Sequence, residues 1–153
     1  MNTTVKASRL IAADAGRLYA LVSDLPRMGE WSPENLGGRW KHGSTTAAVG
    51  AVFKGRNRKG LVFWTSMSKI TIAEPGTKLQ WLVSFGPLKH LVRWTYTFDP
   101  QPAGGTIVTE QHDDLRPDWW AKIGGFVGRI PDSDAHYLAG IETTLAKLAA
   151  SAE

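Results

Sequence analysis

The residues best suited to chemistry stand together in TIVTEQHDD at 106–114, where Glu110 and His112 are two positions apart. On an extended strand that spacing sends both side chains out of the same face. A carboxylate and an imidazole so placed can share one ligand or one water, and burial would lift the Glu pKa toward general acid/base range. The alternation admits two registers. One turns Val108, Glu110 and His112 toward the core, and the other turns Ile107, Thr109 and Gln111 inward. A buried Glu that merely pairs with an Arg or a Trp N–H has the same sequence.

Other polar candidates are sparser. Asn57, in GRNRKG, shares a strand face with Phe53 and Gly55, and its amide both donates and accepts; it also suits a turn beside Gly60. Tyr96 puts a phenol on an otherwise apolar face. His136 and Tyr137 open the last helix, where capping explains His136 as well as a ligand role does. The four histidines (His42, His90, His112, His136) have no paired ligand spacing, and the HDD at 112–114 would hold a cation only if its alternating residues turned inward together. There is no G-x-S-x-G elbow, phosphate-binding glycine loop or dinucleotide fingerprint, so neither metal, cofactor nor nucleophilic catalysis is expected.

The elements that must position these groups follow from periodicity. Residues 3–11 form a β-rich first strand, and Ala15, Leu18, Leu21 and Val22 then recur at helical spacing behind Asp14, a fitting N-cap. In PRMGEWSPE, Pro26 fits a first helical turn and Pro33 discourages its predecessor from staying helical, so at most a short helical turn holds Trp31 between them. Strand-like runs follow at 36–42, 51–59, 61–72, 78–85, 91–99 and 106–113, divided by Gly43, Gly60, Pro75-Gly76, Gly86-Pro87 and Gly104-Gly105. Beyond Pro131, Ser133 can cap a helix whose Tyr137, Ile141, Leu145 and Leu148 make one apolar stripe. The predicted fold is α+β: a curved antiparallel meander of about seven strands around a long C-terminal helix, with two short helices after the first strand.

With 153 residues and 42% hydrophobic content, one domain spanning 1–153 is expected. The absence of cysteine excludes disulfides and thiolate chemistry, and the absence of a signal-peptide start or spanning apolar run makes a cytoplasmic protein the expectation. The net charge of +4 reads as modest and scattered, densest at Lys54, Arg56, Arg58 and Lys59. No stacking motif or recognition helix accompanies it, so no nucleic-acid partner is expected.

In order and spacing, four pieces of the chain resemble the helix-grip proteins of the START-like superfamily, also called SRPBCC, in its bacterial polyketide cyclase/dehydrase-like branch. They are the opening strand with DAGRLYALVSDLPRMGEWSPE, then FKGRNRKGLVFW, then WTYTFDP followed by GGTIVTE, and the closing GIETTLAKLAASAE. The resemblance implies a deep, mostly apolar cavity between sheet and C-terminal helix, with Trp31 in its wall or gate. It also implies the inward register for Val108, Glu110 and His112, since family members with a T-x-V-x-E strand point that acid into the cavity. Members include lipid and hormone carriers, ligand receptors, aromatase/cyclases and oxygenase domains, so the fold leaves the activity open.

Alternation assigns Val92, Trp94, Tyr96 and Phe98 to the inner face, and likewise Leu79, Trp81, Val83 and Phe85. On 61–72 the inner set reads Trp64, Ser66, Ser68, Ile70 and Ile72, whose two serines would leave room beside large aromatics. The expected ligand-binding set is Trp31, Asn57, Trp64, Ser66, Ser68, Trp81, Trp94, Tyr96, Val108, Glu110, His112, Tyr137 and Ile141. The connector PDWWAKIGGFVGRI at 117–130 carries Trp119, Trp120 and Phe126, and reads as a lid, a subunit interface, a transient membrane contact or plain packing on the last helix. Three functions compete. One is a binding module for a mid-sized hydrophobic molecule, as monomer or homodimer; the second is a cyclase/aromatase-like enzyme using Glu110 and His112. The third is an interaction module whose partner surface is 117–130.

Overall fold

A computed structural model describes residues 3–117 and 133–153. The segment holding Trp119, Trp120 and Phe126 therefore lies outside the described residues. Seven strands form one antiparallel sheet: β1 (Thr4–Ile11), β2 (Asn35–Trp40), β3 (Val52–Lys59), β4 (Val62–Glu74), β5 (Lys78–Phe85), β6 (Leu88–Pro100) and β7 (Thr106–Asp114). Their spatial order is β1-β7-β6-β5-β4-β3-β2, a meander whose first strand returns to pair with the last. Helix α1 (Ala15–Ser23) and a 3-10 helix (Leu25–Glu30) connect β1 to β2, and α2 (Ser133–Ala152) lies across the concave face. This is the helix-grip arrangement. Among the described residues, no helix is long and apolar enough to cross a membrane.

Local chemistry explains the connectors. The Asp14 carboxylate accepts from the Arg17 amide at 2.8 Å and caps α1, which buries Leu18, Tyr19 and Val22. Pro26 occupies the first turn of the 3-10 helix, and Trp31 ends it, 1% exposed. In β2, a Cβ on Gly38 would meet the Lys54 carbonyl oxygen at 2.1 Å and the Phe53 ring at 2.8 Å, so only glycine lets these strands approach so closely.

Two irregularities depart from strict alternation. Thr71 is an extra residue in β4, so Ile70 pairs with Trp81 but Ile72 pairs with Gln80 and Ala73 with Leu79. The inward assignment of Ile72 is thereby corrected: the bulge gives its inner-face position to Ala73. In β6, Lys89, His90 and Leu91 stand opposite Ser84 alone, which lets the strand begin at Leu88, earlier than periodicity indicates.

The space between sheet and α2 is filled unevenly. At the α1 end, Ile11, Leu18, Val22, Leu79, Phe98 and Val108 join Ile141, Leu145 and Leu148 of α2 in one buried cluster. Tyr19 closes on Phe98 edge to face at 5.6 Å. At the other end α2 turns Ala139, Gly140, Thr143 and Thr144 toward the sheet, and these small side chains leave a void.

Candidate functional site

That void is a cavity of about 360 Å³. Register pairing shows how its floor is built. Leu79, Tyr96 and Glu110 form one row across β5, β6 and β7, and Trp81, Trp94 and His112 form the next. Residues directly opposite in an antiparallel pair share a face, so the aromatic inner face of β6 carries Glu110 and His112 with it. Val108 is on the same face but belongs to the filled end.

The apolar wall comes from Trp64, Trp81, Trp94, Phe53, Val83 and Phe85. Tyr137 of α2 stacks on His112 with ring centroids 3.8 Å apart and 19° between planes, while Trp94 meets the imidazole edge-on at 4.7 Å. Trp81 lies nearly parallel to Tyr96 at 5.7 Å. Packed rings therefore fix the imidazole and the phenol in place.

Two polar patches interrupt this wall. Tyr96 stands directly opposite Glu110 in the β6–β7 pairing and its phenol favours the carboxylate, but burial outweighs this and raises the Glu110 pKa to about 8. Burial likewise raises the Tyr96 phenol well above its ordinary value, with the nearby Glu110 adding to it. Burial pushes His112 the other way, down to about 4, outweighing the acids Asp114 and Asp113. At neutral pH both groups are uncharged. Among the described residues, the buried atoms Glu110 Oε2 and His112 Nε2 have no hydrogen-bond partner, as is true of Trp31 Nε1 outside the cavity lining. An unpaired buried polar atom is costly, and a ligand that supplied the missing partner would recover that cost.

The second patch faces it from β2, β3 and β4. Asn57 Nδ2 donates to Ser66 Oγ at 3.0 Å, Asn35 Nδ2 donates to Asn57 Oδ1 at 3.4 Å, and Asn35 Oδ1 accepts from the Gly37 amide at 2.6 Å. Ser68 adds a further hydroxyl beside Phe53 and Val83. Between the patches, Glu34 and His136 meet at 2.5 Å and join the β2 approach to the start of α2.

Of the residues expected from sequence, the structure brings Asn57, Trp64, Ser66, Ser68, Trp81, Trp94, Tyr96, Glu110, His112 and Tyr137 to this cavity. It does not bring Trp31, Val108 or Ile141, which belong to the filled core. Trp31 is held there by the 3-10 helix, with the Arg27 guanidinium 5.7 Å from its ring. Sequence reasoning missed Glu34, Asn35, Met28 and the Gly140 and Thr144 positions of α2. The signal present was the pair of small residues Ala139-Gly140 beside the apolar stripe of α2. Asp113 and Asp114 are engaged by Arg93 and Arg116, and among the described residues no three His, Asp or Glu side chains converge as a metal set.

The family model for polyketide cyclase / dehydrase and lipid transport matches residues 2–153. The chain belongs to that family. A polyketide-cyclase-like protein of Corynebacterium glutamicum, solved by NMR, is 29% identical, with 97% of this chain and 90% of that chain covered and a TM-score of 0.64. The di-domain aromatase/cyclase StfQ of the steffimycin biosynthetic pathway superposes with a TM-score of 0.76 at 14% identity, covering 99% of this chain and 51% of that one. Ginseng major latex-like protein 151, from Panax ginseng, gives 0.72 at 13% identity over 100% and 99% of the two chains. The last two share the fold. Among curated proteins none matches.

Proposed function

We propose that this protein binds one uncharged, mid-sized hydrophobic molecule, of lipid, aromatic or polyketide-like character, in the cavity between sheet and α2. The observation that carries the reading is the pairing of an aromatic-walled cavity with a buried patch, Glu110 and His112, that is neutral at pH 7 and a half-buried amide and hydroxyl patch at Asn57 and Ser66. A cavity of about 360 Å³ is within the range of small-molecule sites. Trp64, Trp81 and Trp94 supply apolar area and flat surfaces. Glu110 and His112 meet a carbonyl or hydroxyl at one end, and the Asn57–Ser66 pair meets another polar group opposite. A charged ligand atom beside Glu110 and His112 would find no counter-charge in those two neutral groups, and the lining acid Glu34 is already engaged by His136.

One observation favours catalysis as a second reading. A carboxyl group titrating at about 8 beside a neutral imidazole can hold and deliver a proton at neutral pH, which cyclisation and dehydration of a poly-β-carbonyl chain require. The relatives named for aromatase/cyclase chemistry support the same reading.

The test is native mass spectrometry of the protein purified from its natural host, followed by identification of whatever denaturation releases. A one-to-one adduct of a neutral hydrophobic molecule is expected; persistent bare protein that also takes up no lipid, aromatic or polyketide panel member would overturn the binding reading. Glu110→Gln then separates the two readings. Under binding alone, affinity falls a few-fold, whereas under catalysis turnover of a synthetic poly-β-ketone substrate falls by about 10²-fold or more with affinity largely kept.

A further inference from the structure

Charge is segregated in this chain, which corrects its reading as scattered. Residues 35–98 hold ten Lys and Arg against a single acid, Glu74, whereas the whole chain has 18 against 14. Those residues run from β2 through β6 as far as Phe98, with the intervening turns; β6 itself ends in a second acid, Asp99, and Pro100. Three of the cations, Lys54, Arg56 and Arg58, alternate along β3 on the face opposite Phe53, Gly55 and Asn57, the residues that line the cavity.

The cationic region ends in an apolar tip. Gly60 and Leu61 make the two-residue turn between β3 and β4, with Gly60 at φ 61°. Leu61 is 90% exposed, Val62 64% and Phe63 63%. Arg58 donates from Nε to the Gly60 carbonyl at 2.7 Å and sets its guanidinium 5.3 Å from the Phe63 ring, so cation and ring are presented side by side, with exposed Lys59 adjoining. The β5–β6 turn lies at the same end of the sheet and exposes Leu88, Lys89 and His90. Both tips are continuous with the cavity: Trp64 follows Phe63, and Phe85 pairs with Leu88.

We infer that these two hairpin tips dock the protein on an anionic lipid bilayer, with Leu61, Val62 and Phe63 entering the interfacial layer. Arg58, Lys59 and Lys89 then lie at the depth of the lipid phosphates. Aliphatic side chains at the outermost point gain nothing from a nucleic-acid backbone, but they gain apolar burial in a headgroup layer while the adjoining cations are attracted to negative lipid. The cavity reading supplies the purpose, since a bilayer is where a hydrophobic ligand is dissolved and the tips adjoin the cavity lining. The tips themselves are observed independently of that reading.

Flotation of the full chain tests the inference, using vesicles of phosphatidylcholine with about 30 mol % phosphatidylglycerol against pure phosphatidylcholine, at about 0.1 and 0.5 M salt. The expected result is flotation with the anionic vesicles at low salt, reduced roughly tenfold by Arg58→Glu with Lys59→Glu, and similarly by Leu61→Ser with Phe63→Ser. Leu61→Ser alone keeps the test available should either double variant fail to fold. No flotation of wild type, equal flotation with neutral vesicles, or variants that float like wild type would overturn the inference. Equal retention of a short DNA duplex at the same salt would also overturn it. Uptake of the neutral dye N-phenyl-1-naphthylamine in vesicle-free buffer is measured on the same samples. Lost flotation with intact dye uptake leaves the cavity reading standing and removes the docking surface; flotation that persists without dye uptake does the reverse.

Discussion

The two ends of the space under α2 are built from the same sheet and the same helix, yet one is solid and the other hollow. At the α1 end, Leu18, Val22, Phe98, Val108, Ile141, Leu145 and Leu148 interdigitate. At the other, Ser66 and Ser68 on β4 face Gly140 and Thr144 on α2, and the large rings stand around the opening instead of filling it. Side-chain volume, not backbone architecture, makes the difference. The solid end carries stability, while the hollow end holds buried atoms on Glu110 and His112 that lack a hydrogen-bond partner among the described residues.

The largest effect is expected at the solid end. Leu148 is fully buried, so Leu148→Ala should lower unfolding free energy by about 2–5 kcal/mol in urea titrations, with dye uptake by folded protein retained. A loss under about 1 kcal/mol would mean that this end is not the packed core described here.

Next in size is a pH effect at the hollow end. Glu110, raised from 4.5 to about 8, keeps its proton more tightly folded than unfolded, so stability falls as pH climbs from about 4.5 to 8. His112, lowered from 6.5 to about 4, resists a proton that the unfolded chain accepts, so stability falls as pH drops from about 6.5 to 4. Between 4.5 and 6.5 the two slopes oppose, and from 6.5 to 8 Glu110 acts alone at about 1.4 kcal/mol per pH unit. Glu110→Gln should therefore gain about 2 kcal/mol on wild type between pH 6.5 and 8. A pH-independent difference between the two proteins would refute the buried, protonated acid.

Smaller again is Trp31→Phe, expected to cost about 1 kcal/mol through lost packing and to leave dye uptake unchanged, because Trp31 is buried in the core and is not part of the cavity lining. A large drop in uptake would restore it to the cavity wall. Ser68→Leu should change stability least, by less than about 1 kcal/mol, since it adds apolar volume where volume is missing. A loss of several kcal/mol would show that this end is already filled.

The strands and the last helix were legible because period-two alternation and the four-four-three spacing of Tyr137, Ile141, Leu145 and Leu148 are direct consequences of backbone geometry. Ile72 was not, because Thr71 inserts without any composition cue. Inward orientation was legible for Val108 and Ile141, but not which end of the concavity they reach, since that depends on where α1 docks. The polar patch at Asn57 depended on Asn35, twenty-two residues away and brought near by the β2–β3 pairing. The acidity of Glu110 followed from burial, which alternation could suggest only in one of two registers.

The most direct test is a fluorescence titration of wild type and Ser68→Leu with neutral N-phenyl-1-naphthylamine and with the anionic dye 8-anilino-1-naphthalenesulfonate. Saturable one-to-one binding of the neutral dye is expected, with at least about tenfold weaker binding of the anion and loss of both in Ser68→Leu. Equal or tighter binding of the anion, or undiminished binding by Ser68→Leu, would contradict a neutral ligand site at the hollow end.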